Sequence, residues 1–307
     1  MGHSLHNIIG VLIFLPFVPW FTQFITYFTN RLQGSNDIQL QIANSHTLFN
    51  IMVALIFLPL NDYFVKLLKF IVKDKKPEGE FEVVYIDNLL LDTPAAALEA
   101  SIKEIQRAMQ TNTDMLGLSI SSVIQNNVNS QDMIMKREEF IFKLQKDLTN
   151  YMVELSRRPL SISDSVVLPG IIKCANYLER IADHTTIIMK LQETRFCKEL
   201  HFTPAALKEI DELYRELSEM SKMTSANIEE FDEEVHARVK EAEARIDFVT
   251  ARFTGEHVKR LESGECTIEV SLVYLDMITA MERISNYLYK ISRLCRYELQ
   301  GKPSPAA

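Results

Sequence analysis

Charge is distributed so unevenly along this chain that it must fold as two dissimilar parts. Residues 1–72 contain three basic side chains (Arg31, Lys66, Lys69) and two acidic ones (Asp37, Asp62), which leaves 30 basic and 39 acidic residues for the rest. The long polar remainder, with a formal net charge of −8 for the whole, has no broad basic footprint, which argues against a nucleic-acid partner.

Within the first part, Ile8 to Phe28 is charge-free over 21 positions and ends near Trp20 and Tyr27, residues suited to a membrane interface. Leu48 to Leu60 is also charge-free. The two stretches are copies at an offset of 43. His3-Ser4-Leu5-His6-Asn7-Ile8 repeats as His46-Thr47-Leu48-Phe49-Asn50-Ile51, and Leu12 to Pro16 repeats as Leu55 to Pro59. His3, Asn7, His46 and Asn50 either cap the helix starts or line a polar path between repeated segments. The pattern predicts two membrane segments over 1–72. Lys66, Lys69, Lys73, Lys75 and Lys76 at their exit place the following domain on the cytoplasmic side by the positive-inside rule. No signal peptide is evident, since a basic n-region and a small-residue cleavage site are missing.

Residues 73–92 are charged, include Pro77 and Gly79, and read as a linker with a short extended stretch at Phe81 to Tyr85. Thr93-Pro94 starts the next domain: Thr caps and Pro takes the first turn. From there the apolar spacing is helical, as in Leu98, Ile102, Ile105, Met109, in Phe140, Leu144, Leu148, Met152, and in Leu207, Ile210, Leu213, Leu217, Met220. Pro159, Pro169 and Pro204 are read as breaks. The expectation is all-α: six helices over 93–300 in two sets of three, and a disordered tail at 301–307. The four cysteines (Cys174, Cys197, Cys266, Cys295) lack metal-site or disulfide spacing and read as reduced thiols.

The second part is duplicated as well. Glu179-Arg180-Ile181 recurs as Glu282-Arg283-Ile284, and Glu138 and Glu243 take similar places on the preceding helices. Glu179 and Asp183, four apart on one helix face, repel each other by a few tenths of a kcal/mol. A divalent cation with oxygen ligands would offset this, as would Arg180 or another arginine. In the second copy Glu282 is followed by Asn286, one carboxylate fewer. The chain has no Ser elbow, P-loop or HExxH motif, so no enzyme is expected.

These residues resemble a PhoU domain, in which two three-helix repeats each close on a Glu-Arg-Ile-x-Asp-type helix. Here those helices carry Glu179 to His184 and Glu282 to Asn286, and the run Glu256 to Gly264 is PhoU-like too. The segment Ala43 to Asn50, with Tyr85-Ile86-Asp87 and Thr93-Pro94-Ala95, resembles the last part of the bacterial sodium/phosphate cotransporter family. No Gln-Ser-Ser core motif occurs, so the likeness is to that family's C-terminal portion. The resemblance implies a part of a sodium-dependent phosphate transporter in the bacterial inner membrane, with a cytoplasmic PhoU-like domain regulating transport. Sodium and phosphate would be the species carried by the complete transporter. The alternative is a membrane-anchored PhoU-like regulator without transport of its own. It further implies a divalent or iron-type metal at Glu179, Asp183, Glu282 and Asn286, a transporter or sensor partner, and self-association through the helical domain.

Overall fold

In a computed structural model the described residues are 15–33, 38–39, 41–52, 55 and 81–302. The chain divides into two compact units, 1–78 and 79–307.

In the first unit a 3-10 turn, Leu15–Phe17, leads into helix α1, Val18–Gln33. A second helix, α2, covers residues 41–52. Pro16 lies in the turn and Pro19 in the first turn of α1, where a missing N–H costs nothing. These prolines therefore open a helix inside the charge-free run. The buried Thr29 hydroxyl accepts from the Asn44 side-chain amide at 3.1 Å, joining α1 to α2. No helix among the described residues is long and apolar enough to cross a membrane. The 16 residues of α1 span about 24 Å, short of a hydrocarbon core of about 30 Å. Thr22, Gln23, Thr26, Asn30 and Arg31 also interrupt its apolar surface. The expectation of two membrane segments, and with it the placement in the bacterial inner membrane with a cytoplasmic C-terminal domain, is corrected accordingly. Residues 8–14 and 56–72 of those segments, with His3 and Asn7, lie outside the described residues. His46 and Asn50 face each other one turn apart on α2, ring nitrogen to amide at 3.3 Å, on its exposed side.

The second unit is a bundle of six long helices: α3 (Pro94–Gln125), α4 (Gln131–Leu155), α5 (Ile162–Cys197), α6 (Pro204–Glu229), α7 (Glu233–Glu262) and α8 (Ile268–Arg296). Helices α3 to α5 form one three-helix repeat and α6 to α8 the other. They join where α5 packs along α8 and α3 along α6. The periodic residues face inward as expected: Ile105, Met109, Leu144, Leu148, Met152, Ile210, Leu213, Leu217 and Met220 are all buried.

Caps fix the helix ends. Ser161 and Asp164 form a reciprocal capping box at α5. Thr203, Asp232 and Thr267 accept backbone N–H groups at the starts of α6, α7 and α8. Asn126 ends α3 in a left-handed conformation, φ 50°. Thr93 precedes α3 but accepts no capping bond there; Pro94 alone begins the helix.

Pro169 is not a break. It sits inside α5, which continues unbroken to Cys197. The turn after it is pinned by tertiary packing: a Cβ on Gly170 would lie 2.9 Å from the Cβ of Glu298. Glu298, in a terminal 3-10 turn (Glu298–Gln300), is nearly buried and accepts from Lys173 through both oxygens at 2.9 and 3.0 Å. The helix thus runs through a position where proline removes one backbone hydrogen bond, with Glu298 packed over the next turn.

Residues 81–92, assigned above to the linker, lie on the bundle. They form no strand; a 3-10 turn, Asn88–Leu90, is capped by the Asp87 carboxylate through Leu89 N–H at 3.0 Å.

Candidate functional site

The motif helices α5 and α8 lie against each other, and equivalent residues meet across their contact. His184 and Tyr287, 103 positions apart, stack with ring centroids at 5.9 Å, and Tyr177 adds a ring 5.8 Å from Tyr287. Lys290 places its ammonium 4.6 Å from the Tyr287 ring centre. Burial lowers the His184 pKa below its ordinary value, and Arg283 and Arg180 add to this against the opposing Asp183. The ring is therefore neutral at pH 7.

Two carboxylate clusters flank this contact. In the first, Glu179 and Asp183 on α5 share a field with Glu138 on α4. Burial, then the negative charge of Asp183, raises both Glu138 and Glu179 above the usual carboxylate range. Arg180 spans the pair on α5, with Nη1 3.0 Å from an Asp183 oxygen and Nε 3.5 Å from Glu179. Arg180 thus supplies one of the two means of offsetting their repulsion.

In the second cluster Glu243 on α7 is raised by burial, then by Asp247, then by Glu282 on α8. Asp247 is itself raised by burial. Asn286 supplies no charge, and its amide nitrogen donates to the Glu282 backbone carbonyl at 3.1 Å. The acid absent at Asn286 thus has a replacement on the neighbouring helix. Counting back 105 positions, as from Glu243 to Glu138, Asp247 corresponds to Phe142, so each repeat keeps three carboxylates with one moved between helices. Asp247 escaped the sequence analysis, although Glu243 and Asp247 show the same four-residue spacing as Glu179 and Asp183.

The donor chemistry of both clusters suits a hard cation bound by oxygens. In the first, Arg180 is ion-paired with Glu179 and Asp183 along the α5 face. Among the described residues no three His, Cys, Asp or Glu side chains converge on a position that would hold a metal ion. Glu179 and Asp183 are brought together, Glu282 joins Glu243 and Asp247, and Asn286 stands outside that charge cluster.

A further polar centre lies inside the second repeat. Glu209, on α6, is buried and gripped by Arg260 of α7 through two parallel hydrogen bonds of 2.7 and 2.6 Å. The Tyr274 hydroxyl of α8 donates to the same carboxylate. His257 stacks on Tyr274 at 4.2 Å, with Nδ1 3.2 Å from Arg260 and Nε2 3.0 Å from the Ser271 hydroxyl. Since Arg260 can only donate, His257 accepts at Nδ1 and carries its proton on Nε2. The bond to Glu209 raises the Arg260 pKa, and burial with Glu209 pushes the Tyr274 phenol far up. This network ties α6, α7 and α8 together through Glu209, Arg260 and Tyr274, and leaves only the buried Nε of Arg260 without a hydrogen-bond partner within it. The run Glu256 to Gly264 drew attention in the sequence, but its partner Glu209, about fifty residues away, carried no signal there.

A bundle of two three-helix repeats, closed on paired carboxylate helices, is PhoU-like. A family model described as PhoU domain matches residues 105–191, from within α3 to within α5. Among solved structures, the crystal structure of PhoU from Pseudomonas aeruginosa matches with a TM-score of 0.62 at 16% sequence identity, covering 69% of this chain and 100% of that one. A search of curated proteins returned no match. These findings support the PhoU likeness of the bundle and lend nothing to the cotransporter likeness of residues 43–50.

Proposed function

We propose that this chain is a PhoU-like regulator of phosphate homeostasis, acting on a phosphate transporter or sensor by protein contact. The observation that carries the reading is where the PhoU match falls: residues 105–191 include Glu138, Glu179 and Asp183, the cluster of the repeat with the complete motif. The reading as part of a sodium-dependent transporter rests on short sequence likeness alone, so regulation is the better supported of the two. Self-association of the bundle belongs to the same proposal and is tested by light scattering of the purified chain.

The decisive experiment is radiolabelled phosphate uptake in cells lacking the gene, in scarce and in abundant phosphate. Uptake that no longer adjusts to supply, and recovers with the wild-type chain, is the expected result. Uptake indistinguishable from that of the parent cells under both conditions would overturn the reading.

A second reading adds a divalent cation at the first cluster. It is favoured by the set of oxygen donors that Glu138, Glu179 and Asp183 present from two neighbouring helices, where burial and then the charge of Asp183 raise the two glutamates. The cation would need Arg180 to swing aside. Elemental analysis of wild type against Glu179→Ala/Asp183→Ala tests it, and equal metal content in the two would remove it.

A further inference from the structure

Glu104 and Glu209 occupy equivalent positions on α3 and α6, 105 residues apart, and both carboxylates are buried. A buried carboxylate without partners is costly, so each repeat has to answer the same demand. The second repeat answers it internally, with Arg260 and Tyr274. The first cannot, because the residues at the corresponding places are Leu155 and Ile171, which have no side-chain donor.

The donors come instead from the chain leading into the bundle. The backbone N–H groups of Val84 and Tyr85 both donate to one Glu104 oxygen. Arg107, one turn along α3, lies 3.4 Å from the other oxygen and donates to the Glu82 carbonyl. Backbone donors and a backbone acceptor of one short segment are thus read by two side chains of opposite charge. The same segment reaches α4: Phe81 rests on the Phe140 ring at 6.0 Å, and Tyr151 donates to the Asp87 carbonyl at 2.8 Å. Phe140 lies two residues from Glu138 of the first carboxylate cluster.

We propose that Glu104 and Arg107 form a backbone-recognition latch, and that residues 81–87 are a strap whose seating holds α3 and α4 in register. Removing the strap takes from Glu104 its two backbone donors and its cover, so the first repeat loosens while the second, with its internal Arg260 and Tyr274, does not. Displacement of residues 81–87 is thereby conveyed to the helix carrying Glu138. The inference concerns this chain's mechanics and stands whether or not the regulatory reading holds.

Hydrogen exchange on the full chain tests it, comparing wild type with Glu104→Gln, Arg107→Met and Glu209→Gln. In wild type the Val84 and Tyr85 amides are protected. In Glu104→Gln they exchange roughly tenfold to a hundredfold faster, and amides of α4 follow, with α6 to α8 unchanged. Arg107→Met, at a half-exposed position, gives the same pattern more weakly and decides the matter if Glu104→Gln fails to fold. Glu209→Gln loosens α6 to α8 and spares Val84 and Tyr85. Fast exchange at both amides in wild type, unchanged protection in the folded Glu104 and Arg107 variants, or uniform loosening of all six helices in them would overturn the proposal.

Discussion

Arg260 holds Glu209 fork to fork, guanidinium to carboxylate, with side chains only 12% and 9% exposed. Such a pair contributes little net stability relative to an apolar one, but breaking it strands a charge. Arg260→Met should therefore lower unfolding free energy by about 3–5 kcal/mol. The double variant Glu209→Leu/Arg260→Met should regain most of that loss. Urea denaturation of the three chains measures both, and a double variant no better than the single one would show that the network's geometry outweighs its charge balance.

Four carboxylates, Glu138, Glu179, Glu243 and Asp247, have pKa values raised chiefly by burial. The folded form then holds protons that the unfolded chain has released. This contribution to stability is fully present below the unfolded carboxylate pKa of about 4, and is lost as pH rises through the raised folded values. Glu138→Gln/Glu243→Gln removes the ionisation, so at pH 7 the variant should be more stable by a few tenths to about 1 kcal/mol. Its advantage should fade as pH approaches 4. Thermal unfolding of both proteins at pH 7 and pH 4.5 reads the difference. A variant less stable at pH 7 would mean that these carboxylates are needed as ion partners.

Gly170 admits the chain end. An added Cβ would meet the Glu298 Cβ at 2.9 Å, and that atom lies too near the backbone to move freely. Alanine usually gains up to about 1 kcal/mol over glycine within a helix. Here the overlap should cost about 1–3 kcal/mol and free the turn that Lys173 secures. A melting temperature for Gly170→Ala below wild type, with faster proteolysis after Arg296, is the expected outcome; a higher one would mean that the turn yields easily.

The bundle was legible because its information is local. Leu98, Ile105 and Met109 declare a buried face by spacing alone, Pro94 declares a start, and the Glu-Arg-Ile recurrence declares two repeats. What escaped depends on partners distant in sequence. Nothing near Glu209 announces Arg260, and nothing near Pro169 announces that Glu298 will pack over the following turn. The charge-free run from Ile8 to Phe28 misled for a related reason. Hydropathy summed over a window ignores where a helix begins, and Pro16 and Pro19 place the start of α1 at Val18. The carboxylate motif was half legible: Glu179 and Asp183 stood out, whereas Asp247 lies on another helix from the residue it replaces.

Arg180 makes the first cluster's response to cations testable in either direction. Its guanidinium reaches Asp183 at 3.0 Å and Glu179 at 3.5 Å, yet its side chain is 56% exposed, so the pairing is worth little and can be released. While it stays, it competes with any cation for the same oxygens. Chelation with EDTA should therefore leave the wild-type melting temperature unchanged when no divalent salt is supplied. In Arg180→Met the carboxylates lose that competitor, and millimolar magnesium or manganese should raise the melting temperature more than in wild type. Binding to the folded form alone stabilises by mass action, so the rise should grow with cation concentration and vanish in Arg180→Met/Asp183→Asn. A rise of equal size in wild type and Arg180→Met would place the cation away from Glu179 and Asp183. No rise in either would leave Arg180 as the cluster's counter-charge in full.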